Sequence, residues 1–167
     1  MKLFVLTMFL SVALSLPAGY EQAEWGVTAK QLKLQVPIVK INPGDNYYYA
    51  EHMEIDPDVY VYKTKDKKRI EYYFYQKKLY KVFVVYDRAP EAERLYAQLK
   101  DKLVSAFGKP AREYKRKVFG LHVTHMQWED DRTIFDLRNG AGFIYQVRVH
   151  KDALKAKERL YNRGKSI

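Results

Sequence analysis

His122-Val-Thr-His125 is the first pair in this chain that invites chemistry, because paired imidazoles are common metal ligands. The run around it, Lys117 to Trp128, reads as a strand. Side chains three apart on a strand leave opposite faces, so these two histidines do not close on one ion. No third ligand stands at a telling spacing, and no metal site is expected. Glu129-Asp130-Asp131 offers adjacent carboxylates. It falls between two expected strands, where acidic residues form a solvated turn. Acid–base catalysis needs one carboxyl desolvated enough to hold its proton, and a turn tip does the opposite. The chain has no Cys, which removes thiol nucleophiles, Cys-ligated zinc and disulfides together. No Gly-x-Ser-x-Gly, phosphate loop or Gly-x-Gly-x-x-Gly occurs. The sequence therefore indicates no enzyme, no cofactor and no catalytic residue.

Three basic clusters are left as candidate partner-binding residues: Lys65, Lys67, Lys68 and Arg69; Lys77 and Lys78; and Arg112, Lys115, Arg116 and Lys117. Tyr beside Lys or Arg makes a surface for sugars or phosphates through stacking and charge. The competing reading is that the Tyr pack the core while the cations keep strand edges from aggregating.

The elements that must position these clusters are legible in outline. Thr28 followed three residues later by Gln31 is a capping-box pattern, predicting a short helix to about Gln35, ended by Pro37, with Trp25 and Val27 stapling it to the core. Ten of the fifteen Tyr lie between Tyr47 and Tyr86, a density that favours pleated sheet over helix. Strands are expected over 47–54, 58–64, 69–76 and 79–87, the last two joined by a tight turn at Gln76-Lys77-Lys78. The nearly continuous apolar run Leu79–Tyr86 suggests a central strand covered on both faces. A helix over 90–107 follows, with Ala92, Leu95, Tyr96, Leu99, Leu103 and Ala106 as its buried stripe and Gly108 and Pro110 as its stop. Further strands are expected over 117–128, 132–138 and 142–150, with a hairpin turn at Asn139-Gly140. Phe143, Tyr145, Val147 and Val149 alternate with Ile144, Gln146, Arg148 and His150, which predicts one buried face and one wet face, the second set being the wet one. A basic helix from Asp152, its candidate N-cap, to about Asn162 closes the chain. The expected fold class is α+β, an antiparallel sheet of about six to seven strands with packed helices. The halves 58–107 and 118–162 echo each other, with Glu93-Arg-Leu-Tyr96 repeated 65 residues later at Glu158-Arg-Leu-Tyr161, as a duplicated hairpin-plus-helix unit would.

The first sixteen residues set the compartment. Lys2, fourteen mostly apolar residues to Leu16 and then Pro17-Ala18-Gly19 have the layout of a secretory signal peptide. The run is short of the roughly 20 apolar residues that a spanning helix needs. Small residues close both Ala13-x-Ser15 and Leu16-x-Ala18, and the cut is placed after Ala18, leaving a single domain over 19–167. The location expected is periplasmic or secreted. Without residues 1–18 the chain keeps 29 Lys+Arg against 20 acids, a balance that attracts anionic partners over long range and fades with salt. Export turns that charge away from nucleic acid and toward an anionic component of the cell envelope, or another protein.

The order of these segments resembles a loose set of small exported bacterial proteins. Its parts are Trp25-Gly26-Val27-Thr28 opening a helix, Ile70-Glu-Tyr-Tyr-Phe with Leu79-Tyr80 in a hairpin, Phe107-Gly108-Lys109-Pro110 ending a helix, and Trp128-Glu-Asp-Asp-Arg-Thr-Ile134 leading a strand. More distantly the layout is similar to the helix-plus-antiparallel-sheet modules of β-lactamase inhibitor proteins and outer-membrane-assembly lipoproteins. Many such relatives carry a lipidated Cys, which is absent here. The resemblance implies a binding or accessory module and transfers no catalytic residue; the alternative it leaves open is an inhibitor or assembly factor using an aromatic sheet face.

Overall fold

Alternating Tyr, Val and Ile draw eight stretches of the chain into one sheet. In a computed structural model, residues 16–21, 23–41, 58–63, 68–86, 92–118, 120–140 and 143–164 are described. In chain order the elements are β1 (Gly19–Tyr20), β2 (Ala23–Glu24), α1 (Ala29–Leu32), β3 (Val39–Ile41), β4 (Asp58–Lys63), β5 (Lys68–Tyr75) and β6 (Lys78–Tyr86). There follow α2 (Ala92–Phe107), β7 (Arg112–Val118), β8 (Leu121–Glu129), β9 (Thr133–Gly140), β10 (Phe143–His150) and α3 (Lys151–Gly164). β1 and β2 pair with each other, and the other eight strands form one antiparallel sheet in the order β3-β4-β5-β6-β10-β9-β8-β7. The α+β class holds, with eight strands in the sheet rather than six or seven. The expected strand over 47–54 and residues 1–15 of the expected leader over 1–18 lie outside the described residues.

Two four-stranded meanders, β3–β6 and β7–β10, meet where β6 pairs with β10, Ile144 opposite Tyr86 and Val149 opposite Lys81. Adding 65 to a residue number carries the Phe74–Leu79 pair of the first meander onto the Asn139–Ile144 pair of the second. The same step carries Glu71 onto Asp136, both buried.

Each face of the sheet has its own cover. On one face, Tyr20, Ala23, Leu32, Val36 and Ile38 from the N-terminal segment pack on Ile70, Tyr72, Leu79, Val82 and Val84. On the same face α2 lays Leu95, Tyr96, Leu99 and Leu103 over Met126, Trp128, Phe135, Leu137 and Ile144 of the second meander. Val104 and Phe107 complete the helix stripe; Ala106, expected in it, is exposed. On the opposite face Val59, Tyr73, Tyr80, Phe83, Val85 and Val147 cluster, with Ala153 of α3 against them. The ladder between β5 and β6 slips between Tyr73 and Phe74. That bulge leaves Tyr80 as an extra residue beside Lys81, and Lys81 Nζ lies 4.6 Å from the Tyr73 ring centroid. β6 is buried from Leu79 to Val85 at the middle of the sheet, as its apolar run predicts.

Local signals explain the joints. Thr28 caps α1 in a complete capping box, its Oγ1 accepting from the Gln31 amide while Gln31 Oε1 accepts from the Thr28 amide. Gly108, at φ +76°, ends α2 with its amide donating to Val104. The β5–β6 turn is Gln76-Lys77, both left-handed, the geometry of a type I′ hairpin.

Four expectations need correction. Arg112–Val118 is a strand of its own, paired with β8 from Arg112↔Gln127 to Val118↔Leu121. The single strand expected over 117–128 is therefore two. β9 continues through Asn139 and Gly140 in pairing with β10, so the hairpin bend falls beyond that dipeptide. α3 begins at Lys151, which puts Asp152 inside its first turn instead of at the cap. The predicted wet face of β10 is covered. Gln146 is buried, and Arg148 lies between the rings of Tyr20 and Phe135 with Nη1 donating to Gly19 O at 2.9 Å. Burial lowers the pKa of that guanidinium.

Candidate functional site

The three basic clusters part company in the structure. Lys65 and Lys67 lie outside the described residues, and Lys68 opens β5. Arg69 is engaged internally, its Nε 2.8 Å from Oε1 of the fully buried Glu71. Lys77 and Lys78 sit exposed at the opposite end of β5, on the hairpin that bridges to Thr28. With about 3.3 Å per residue, an eight-residue strand separates the first two clusters by roughly 25 Å. Arg112, Lys115, Arg116 and Lys117 line β7, five strand spacings from β5, or about 24 Å. The fold thus brings the members of the third cluster together and leaves Lys68 and Arg69, and Lys77 and Lys78, apart from it and from each other.

β7 is the end of the sheet order, paired on one side alone among the described residues. Every residue from Arg112 to Lys117 is exposed. Strand alternation divides the cations, with Arg112 and Arg116 on the face of Tyr114 and Lys115 and Lys117 on the other. The edge therefore carries positive charge on both sides and a row of backbone groups along its rim, with Glu113 as its one acid.

Behind this rim stands a polar ladder that sequence reasoning missed. Tyr114 stacks on His125 with centroids 4.6 Å apart and planes 7° from parallel. His125 Nδ1 lies 3.0 Å from Asp136 Oδ2, and Arg138 Nε donates to the same oxygen at 2.7 Å. His125 is 4% exposed and Asp136 5%. An imidazole held by a carboxylate is the positioning half of a general base. Here His125 Nε2 is closed to solvent and bonds to no group among the described residues, so no substrate proton can reach it. What the ladder does is fix Tyr114, 42% exposed, at the centre of the basic rim. The recoverable signal was cross-strand: an aromatic, a His and an Arg at opposed positions of three successive strands.

His122 and His125 point to opposite faces, as strand geometry requires: His122 is opposite Lys117 and His125 opposite Tyr114. Among the described residues no group of three His, Asp or Glu could hold a metal ion. Asp130 in the acidic turn accepts the amides of Arg132 and Thr133 on Oδ1, while Glu129 and Asp131 are exposed. Among residues whose side chains are described, Tyr114 is the one exposed aromatic, and the others do not form an open aromatic face. No described helix is long and apolar enough to cross a membrane. Set against protein-family models, curated proteins and solved structures, the chain has no match.

Proposed function

We propose that this chain is an exported binding or accessory protein of the bacterial envelope that holds an anionic envelope component along the open edge of its sheet. The observation that carries the reading is β7 itself: four exposed cations and the fixed ring of Tyr114 on a strand that ends the sheet among the described residues. An excess of ten positive charges over the full sequence adds long-range attraction to that local geometry. The signal-like leader and the resemblance to small exported modules support the same compartment. In this reading the cations recognise phosphate or carboxylate groups and Tyr114 supplies a stacking or packing surface.

The competing role for β7 is protection, since charged edges also keep sheets from joining each other. One variant set separates the two. Arg112→Gln, Lys115→Gln, Arg116→Gln and Lys117→Gln are combined, and retention on vesicles of anionic phospholipid and on isolated peptidoglycan is measured against salt. The binding reading expects salt-sensitive retention by the native protein and its loss in the variant. Unchanged retention together with new self-association would establish protection and end the binding proposal. Arg69 stays untouched in this test, because its removal damages the fold.

A further inference from the structure

The last residues of the expected leader and those that follow it pack into the core. Leu16 is 7% exposed and packs with Leu103, Met126, Trp128, Phe135, Leu137 and Ile144. Its backbone nitrogen donates to Asp130 Oδ2 at 2.8 Å. Ala18 O accepts from the Trp25 amide at 3.0 Å. Gly19, at φ +142°, runs so close to β2 that a Cβ there would stand 2.0 Å from Ala23 O. Tyr20 is buried against Ile70, Tyr72 and their neighbours. A cut after Ala18 would strip Leu16 from the cluster and remove the carbonyl that Trp25 uses. A cut after Ser15 removes none of these contacts. It also has the better sequence, with small Ala13 and Ser15 at the two critical positions, where the later site has Leu16 and Ala18.

We infer that the mature chain begins at Leu16 and that its new α-ammonium docks on the Asp130 carboxylate. The inference rests on the export reading and moves the processing point three residues upstream of the one expected from sequence. The step is hydrolysis of the Ser15–Leu16 peptide bond by an export peptidase. The hydroxyl of water goes to the Ser15 carbonyl carbon, leaving a carboxylate there. The Leu16 nitrogen takes protons and becomes an ammonium at neutral pH.

Asp130 is prepared for that charge. Its Oδ1 is held by the amides of Arg132 and Thr133 at 2.8 and 2.7 Å, so Oδ2 is left facing Leu16. Lys151 Nζ donates to the Asp130 carbonyl, not to its carboxylate. In the folded uncut chain Oδ2 receives a neutral amide; in a processed chain the same place holds a cation, a charge-assisted contact of roughly twice the strength. The acidic triplet that sequence reasoning assigned to a solvated turn thus gains a specific task for its middle member. Cleavage precedes docking, because the Ser15–Leu16 bond adjoins a residue that folding buries.

The test uses the full precursor expressed in a Gram-negative host. Protein from the periplasm is subjected to N-terminal sequencing and intact-mass measurement, and Leu16 is expected as residue one. Gly19 as the first residue, or any start before Leu16 in periplasmic protein, overturns the inference while export stands. Retention of Met1 in the cytoplasm overturns the export reading and the inference with it. For the docking step, processed native protein is compared with processed Asp130→Asn, which keeps an oxygen for the Arg132 and Thr133 amides. The rate of α-amine acylation at neutral pH is expected to be about tenfold slower in the native protein, since an ion pair that holds the amine's proton by one pKa unit leaves one tenth as much free amine. Equal rates overturn the docking. If Asp130→Asn is not recovered folded, native amine reactivity is compared before and after urea unfolding, and equal rates there overturn it too.

Discussion

Arg69→Met is the substitution whose outcome the structure fixes most sharply. Glu71 is 0% exposed, and its carboxylate is held by Arg69 Nε at 2.8 Å and by the Tyr73 hydroxyl at 2.6 Å. Removing the guanidinium leaves a buried acid without that cation. Breaking a buried ion pair from one side costs about 3–5 kcal/mol. The Arg69 side chain is 24% exposed, so some water screens the pair. Tyr73 continues to donate, and the expected loss lies near the lower limit, about 3 kcal/mol. For a domain of this size that lowers Tm by about 6–12 °C. The companion variant Arg69→Met/Glu71→Leu/Tyr73→Phe removes every one of these polar partners and puts apolar volume in their place. It is expected within about 1 kcal/mol of the native protein, because the desolvation cost of the pair disappears with its attraction. Urea unfolding followed by the fluorescence of Trp25 and Trp128 measures both, with an unchanged m-value showing that midpoint shifts are stability changes. A single variant that loses less than about 1 kcal/mol, or a triple variant as unstable as the single, would refute the account of Glu71 as an acid dependent on its pair.

Three further outcomes follow from the same coordinates. Burial raises the pKa values of Tyr20 and Tyr72 well above the usual phenol value, so the native state keeps both protons where the unfolded chain loses them. Stability is then intact below about pH 10 and falls above it, by up to about 1.4 kcal/mol per pH unit for each Tyr; Tyr20→Phe and Tyr72→Phe should each flatten that decline in pH-dependent urea titrations. The β5–β6 turn holds two non-glycine residues in left-handed backbone, and Gln76→Asn/Lys77→Gly is expected to gain about 0.5–2 kcal/mol by supplying the residues a type I′ turn prefers, with no rise in thermal midpoint counting against it. Gly19→Ala places a methyl 2.0 Å from Ala23 O and should loosen β1 from β2, lowering the midpoint and raising hydrogen exchange at Trp25; native-like exchange there would show that β1 yields without cost.

Where local chemistry decides structure, the sequence was readable. The Thr28 capping box, the α2 stripe from Leu95 to Leu103 with its Gly108 stop, and the doubly covered β6 each follow from residues within one turn or one strand. The divergence of His122 and His125 followed from strand alternation alone. What escaped depended on partners distant in the chain. β7 lacks apolar alternation, and it is a strand because β8 offers a complete ladder to Arg112–Val118. Glu71, Asp136 and Arg148 look like solvent-facing polar residues until Arg69, Arg138 and the Gly19 carbonyl are seen beside them. Of the candidate site, the cations of the third cluster were legible by composition. The ladder that fixes Tyr114 was not, because it is written across three strands.

The seam between β6 and β10 has a consequence for how the chain reaches this state. From β4 to β6 and from β7 to β10 neighbouring strands are joined by short connections, so closing those ladders costs little chain entropy. Tyr86 and Ile144 are separated in the chain by α2 and the strands β7 to β9, so their pairing is non-local. Such non-local pairing is slow, and it is the step expected to limit folding. Until it closes, the rim of β6, apolar from Leu79 to Val85 except at Lys81, is open to any complementary strand. The strand that fits it is β10, from the same molecule or from a second copy. At high protein concentration refolding therefore favours an exchanged dimer, in which the first meander of each chain closes on the second meander of the other and α2 spans the crossing.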